Sequence, residues 1–179
     1  AQSGVARGSD SRIGLGDRFG HQARAQLQAC QLAAERGTTV IPVWNKSFRE
    51  HSTIGSEPAS LRAAAVAAVA ALGWSGPWHV DADHIRLATV DEFMGCSDFF
   101  TIDVADSIGA PVAEDAVQSF VQRHGELVGE IVIPGIETPF HTTARQVSAV
   151  VAKYLPAVRD AGAIYRHIKA ARGGDDFIT

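Results

Sequence analysis

The sequence predicts an α/β fold built on parallel strands. Short apolar runs followed by polar clusters occur four times, segments of helical periodicity separate them, and the runs are apolar on both faces, as buried parallel strands are. Strand, helix, strand in succession implies right-handed crossovers within one parallel sheet.

The first run, Ile13-Gly14-Leu15-Gly16, leads into Asp17-Arg18-Phe19-Gly20-His21. Phe19, Ala23, Leu27, Cys30 and Ala34 then recur at spacings of three and four and stop at Gly37, as a helix ends. The second run, Val40-Ile41-Pro42-Val43-Trp44, leads into Asn45-Lys46-Ser47. Pro42 cannot donate to a ladder, so a strand start or local irregularity is expected there. Leu61, Ala65, Val69 and Leu72 mark a second helix, with Ser56 and Pro58 at its start and Gly73 after it. The third run, Trp78-His79-Val80, precedes Asp81-Ala82-Asp83-His84, and a short helix is expected over Thr89 to Met94. The fourth, Phe99-Phe100-Thr101-Ile102, precedes Asp103-Val104-Ala105-Asp106, and a helix from near Pro111 carries Ala113, Val117, Phe120 and His124.

The last third changes character. Ile131 to Ile136 reads as a short strand or an extended loop. Val147, Val151, Tyr154, Val158, Ala161, Tyr165 and Ile168 mark one long helix or two, because Pro156 kinks or divides it. Gly173-Gly174 ends the pattern, and Phe177-Ile178-Thr179 opens a further strand, as an N-terminal piece of a longer protein would. The organisation expected is a flexible tail over 1–11, then a partial barrel domain over 12–179 with a helical insertion at about 111–172.

Composition excludes several classes. The 179 residues carry a net charge of −4 and hold 46% apolar residues, too many for a disordered chain. The length is short for a closed eight-stranded barrel of about 250 residues. With 16 Lys+Arg against 20 Asp+Glu there is no basic excess for phosphates, so no nucleic-acid partner is expected. No apolar stretch nears the ~18 residues of a membrane span, so no membrane partner is expected either. Cys30 and Cys96 stand alone and read as buried, reduced thiols of a cytoplasmic protein.

In parallel α/β folds functional groups gather at the carboxyl ends of strands, where all four polar clusters lie. In the densest, Asp and neutral imidazole are good ligands for a divalent cation, and a carboxylate beside a cation can act as a base. Asp81 and Asp83 share one face of an extended strand while His84 faces the other way, so Asp83 and His84 converge only if the chain leaves the strand near them. The plainer reading has Asp83 capping the next segment and His84 packing at a rim. Gly14-x-Gly16-x-x-x-Gly20 is one residue too long for a dinucleotide fingerprint, and Asp17 would repel a pyrophosphate. Arg18 can serve as a bidentate donor to a ligand carboxylate or pair with Asp17. Asn45, Lys46, Arg49 and His51 form either a second binding cluster or a solvated loop. Asp103 and Asp106 can orient ligands or cap. His124, His141 and His167 read as structural or exposed, and Trp44, Trp74 and Trp78 as packing groups.

The stretches Gly14-Leu15-Gly16-Asp17-Arg18-Phe19-Gly20-His21-Gln22, Pro42-Val43-Trp44-Asn45-Lys46-Ser47-Phe48-Arg49-Glu50-His51, Val80-Asp81-Ala82-Asp83-His84-Ile85 and Asp98 to Asp106 resemble the tagaturonate epimerase family. Tyr165-Arg166-His167-Ile168 and Asp176-Phe177-Ile178-Thr179 are similar too. The resemblance implies a TIM-type (β/α) barrel, here roughly half of one, that uses a divalent metal cation to interconvert D-tagaturonate and D-fructuronate at C3 in hexuronate breakdown. It implies that Asp83 is the proton acceptor and His84 a metal ligand, with a Glu donor and further His ligands beyond Thr179. The expected partner is a small keto-uronate, bound by candidates Asp17, Arg18, Asn45, Lys46, Arg49, His51, Asp81 and Asp103, and the chain pairs either with a second copy or with a C-terminal half. The alternatives are a non-catalytic, ligand-binding half barrel, or another sugar-processing barrel such as an aldolase using Lys46.

Overall fold

A computed structural model describes residues 11–179, and in it the four apolar runs pair in chain order. Strands β1 (Ser11–Gly16), β2 (Val40–Ser47), β3 (His79–Ile85) and β4 (Phe99–Ile102) form one parallel sheet of that order. Helix α1 (Ala23–Glu35) joins β1 to β2; α2 (Phe48–Ile54) and α3 (Pro58–Leu72) join β2 to β3. A 3-10 turn at Val90–Phe93 stands where a short helix was expected before β4. Outside β4, Ile178 pairs in parallel with Phe99: the Phe100 N–H donates to the Ile178 carbonyl at 2.8 Å, and the Ile178 N–H to that of Asp98 at 3.0 Å. This is a partial, barrel-like α/β sheet; among the described residues it does not close. The expected tail lies outside the described residues except for Ser11, which opens β1.

Register explains which side chains meet. Gly16, Asn45, Asp81 and Phe99 occupy one row across the sheet, and Leu15, Trp44 and Val80 the next. Trp44 and Val80 join a core with Ala23, Leu27 and Cys30 of α1 and Leu61, Ala65 and Ala68 of α3. Trp44 and Leu27 are almost wholly buried, each burial contributing roughly 2–3 kcal/mol. Asn45, Asp81 and Asp83 alternate to the opposite face. Helix α3 needs little help: it is rich in Ala, starts on Pro58 and stops at Gly73, whose φ of 60° suits a residue without Cβ. Pro42 sits in the part of β2 paired with β1 alone, ahead of Val43, where pairing with β3 begins.

Some boundaries correct the sequence reading. The strands outlast their apolar runs, because backbone ladders need no apolar side chain. Asn45, Lys46 and Ser47 close β2, and Asp81 to His84 lie within β3, rather than in loops after these strands. A helix, α2, takes in Phe48 to His51, which the solvated-loop reading of the Asn45 to His51 cluster leaves irregular; the Ser47 hydroxyl receives the Glu50 N–H while the Glu50 carboxylate receives the Ser47 N–H, a reciprocal cap. Helix α1 starts at Ala23, not Phe19, because the Asp17 carboxylate holds the N–H groups of Phe19 (3.1 Å) and Gln22 (2.6 Å) in a turn.

The chain divides into two compact units. The first comprises the sheet, its helices and residues 167–179; the second is Asp103–Arg166. Within the second are α4 (Glu114–Arg123), an antiparallel pair of β5 (Gly129–Ile131) and β6 (Phe140–Thr142), and most of α5 (Ala144–Arg172). β6 was not expected from sequence. Helix α5 continues through Pro156 as one helix, forgoing only the bond that a proline cannot donate. Val117, Val147, Val151 and Leu155 form this unit's core, beside an almost wholly apolar groove of about 380 Å³. No helix among the described residues is long and apolar enough to cross a membrane.

Candidate functional site

The carboxyl end of β3 carries the densest chemistry. Pairing with β4 shifts register between Ala82 and Ile85, and within that bulge His84 adopts φ 53°. A side chain that strict alternation would turn away is thereby brought beside its neighbour: His84 Nδ1 lies 2.8 Å from Asp83 Oδ1. Facing an ionised carboxylate, Nδ1 must carry the proton, which leaves the Nε2 lone pair for another partner. His84 is 65% exposed and Asp83 17% exposed at their side chains, so the pair stands at the surface with its carboxylate half-sheltered. Bulges commonly re-aim side chains next to active sites.

Asp81 lies one pleat below and is buried. Both its oxygens are engaged by β4, one accepting the Thr101 N–H at 3.0 Å and the other the Thr101 hydroxyl at 2.7 Å. Burial, reinforced by the Asp83 charge and opposed by these bonds, pushes its pKa up to about 6. Asp81 thus ties β3 to β4 behind the Asp83–His84 pair; Thr101 was not a sequence candidate, since nothing in the sequence reveals cross-strand register.

On β1 and β2 the candidates separate by environment. Gly14 and Gly16 leave room over β1 for the Asn45 amide: a Cβ at Gly16 would lie 3.3 Å from Asn45 Oδ1, which is buried without a hydrogen-bond partner. Lys46 is buried near Gly20, whose Cβ would lie 3.6 Å from Nζ. Burial lowers the Lys46 pKa against the opposing charges of Asp17 and Glu50. Asp17 is held below its ordinary value: burial raises it, and backbone N–H donors from Phe19 to Gln22 outweigh that. Glu50, also missed from sequence, is likewise lowered: burial raises it, but Ser47, Arg18 and Lys46 prevail. Arg18 is exposed, with Nε 3.8 Å from Glu50 Oε1 rather than paired with Asp17. His51 is buried on α2, its Nδ1 2.8 Å from Ser56 Oγ and its ring tilted on Phe93; burial and Lys46 depress its pKa. Arg49 is exposed on α2 and is not gathered with these groups. Asp103, in the second unit, accepts the Ala105 N–H at 3.0 Å, a local turn bond.

The other residues singled out in the sequence are buried or have partners of their own. Cys30 and Cys96 are free and buried. His124 sits 2.9 Å from Glu126, and His141 3.8 Å from Glu130. Trp44 packs edge-on against Trp78, centroids 5.9 Å apart.

For a divalent cation the Asp83–His84 pair has suitable donor chemistry. A ligating histidine normally gives its second N–H to a carboxylate, which fixes ring and tautomer, and that is the arrangement of His84 and Asp83. Among the described residues no three His, Cys, Asp or Glu side chains come together to hold a metal ion.

The sequence profile of UxaE, tagaturonate epimerase, matches residues 3–173. No curated protein matches. Among solved structures, the chain is similar to the fructuronate-tagaturonate epimerase UxaE from Cohnella laeviribosi. The one-glycerol complex gives a TM-score of 0.73 at 22% identity, covering 90% of this chain and 35% of that one. The native form gives 0.70 at 22% identity, covering 88% and 34%. The chain thus spans about a third of the length of those structures.

Proposed function

The chain belongs to the tagaturonate epimerase family, and from that premise we propose that it carries the proton-abstracting part of an enzyme that inverts C3 of a keto-hexuronate, interconverting tagaturonate and fructuronate. The observation that carries this reading is the bulge in β3, which sets His84 at φ 53° and 2.8 Å from Asp83 at a strand's carboxyl end.

Epimerisation next to a ketone begins by removing a C–H proton that the carbonyl acidifies. Asp83 is the base: its Oδ1 is held by His84 Nδ1–H, which orients the carboxylate, and Oδ2 takes the proton from C3. His84 would hold a divalent cation through Nε2, and the cation, when bound, supplies Lewis-acid polarisation of the neighbouring ketone. Asp81 holds β3 in place through Thr101 and keeps the floor of the site rigid. Inversion follows when a proton returns to C3 from the opposite face.

The test is solvent isotope exchange. Tagaturonate incubated with the protein in D2O should acquire deuterium at C3, read by NMR, and Asp83→Asn should lose at least 100-fold in exchange rate, within the range general bases contribute. Equal exchange in wild type and a folded Asp83→Asn would remove Asp83 as the base.

A further inference from the structure

Buried polar groups nearly always find partners, so those that do not call for an explanation. His51 meets this condition, and Lys46 lies beside it. Both are 2% exposed. The Lys46 ammonium makes no hydrogen bond or ion pair among the described residues, although Asp17 and Glu50 are near enough to act on its charge. Those carboxylates are already committed: Asp17 to the N–H groups of Phe19 and Gln22, Glu50 to the Ser47 N–H and hydroxyl. His51 uses Nδ1 on Ser56, and its Nε2 is buried without a partner, within reach of the Lys46 charge. The reciprocal cap at Ser47 starts α2 directly from β2 and so fixes His51 beside Lys46.

We propose that Lys46 and His51 form the subsite for the carboxylate of the substrate, the residues that make the site select an acid over a neutral sugar. The inference rests on the epimerase reading above. A carboxylate offers the acceptor that a buried ammonium lacks and a second oxygen for an imidazole N–H. The two acidic neighbours favour a singly charged anion over a phosphate dianion, because each added negative charge meets Asp17 and Glu50 in a poorly solvated place. In register Lys46 stands opposite Ala82, one residue before Asp83, at the same carboxyl end of the sheet. Arg18 and Arg49, the other cations considered, are exposed, and Arg18 is drawn toward Glu50. Lys46 and His51 are thus binding residues; no proton transfer is assigned to them.

The experiment measures binding by calorimetry with glycolate, tagaturonate and its neutral counterpart tagatose. Wild type should bind tagaturonate at least 10-fold tighter than tagatose, and glycolate should compete for tagaturonate. Lys46→Met, with folding verified by circular dichroism, should reduce that preference to near unity while leaving tagatose affinity unchanged. His51→Gln should weaken glycolate several-fold and provides the reading if Lys46→Met fails to fold. Unchanged preference in a folded variant overturns the proposal, as does inorganic phosphate binding more tightly than glycolate. Deuterium exchange at C3 is scored separately. Exchange intact with the preference unaltered in Lys46→Met rejects this subsite alone; Lys46-dependent glycolate binding without any C3 exchange supports the subsite and rejects the epimerase reading.

Discussion

At His84 the backbone takes a conformation that a residue bearing a Cβ adopts at a cost of roughly 1–2 kcal/mol. The cost is local and separable from the ring's chemistry. Replacing His84 with Ala or with Gly removes the imidazole in both cases, but only Gly relieves the strain. His84→Gly should therefore be about 1 kcal/mol more stable than His84→Ala in urea unfolding, and equal stabilities would show that the bulge holds no strain. Asp81 offers a second test. Its pKa is raised in the folded protein, so its contribution to stability is fully present below the ordinary carboxylate value near 4 and is lost as pH rises through about 6. Asp81→Asn removes that loss while still able to bond Thr101. The variant should gain up to about 3 kcal/mol over wild type at pH 8, with little difference at pH 4, in paired denaturation curves. The sequence already showed Asp83 and His84 as candidates and the condition for their meeting. It could not show that the condition is met by a register shift, because that shift depends on which residues of β4 face β3.

Among elements, the passage from β2 to α2 positions most of the second cluster. Ser47 ends the strand, caps the helix and engages the Glu50 carboxylate. Ser47→Ala should cost about 1 kcal/mol in chemical denaturation, the usual effect of losing such a cap; no change would mean that the Glu50–Ser47 backbone bond suffices. The sequence contained the Ser-x-x-Glu signature, but its position directly after a strand gave it the look of a loop. The same limit applied elsewhere: α3 was legible to its ends because Pro58, Gly73 and Ala-rich periodicity agree, whereas β6, three residues long, had too short a pattern to read. Lys46 shows the limit for sites. A lysine near a strand end is a plain candidate on sequence, but its burial and the prior commitment of both neighbouring carboxylates follow only from packing.

For the molecule as a whole, the residues assigned to proton transfer, cation binding and carboxylate recognition all belong to the first unit, and so do Trp44, Trp74 and Trp78. Tryptophan fluorescence therefore reports unfolding of the unit that would hold the cation. A ligand that binds the folded state alone adds stability in proportion to RT ln(1 + [L]/Kd), about 2.7 kcal/mol at a hundredfold excess over Kd. If His84 is a ligand, saturating wild type with a divalent cation should raise the fluorescence-detected unfolding free energy by about this amount, and chelation with EDTA should return it to the metal-free value. His84→Ala should show neither the increase nor the reversal. Because the chelated wild type is the reference within each protein, destabilisation by the substitution itself drops out of the comparison. An equal cation-induced increase in His84→Ala would place the cation elsewhere and detach the bulge in β3 from metal binding.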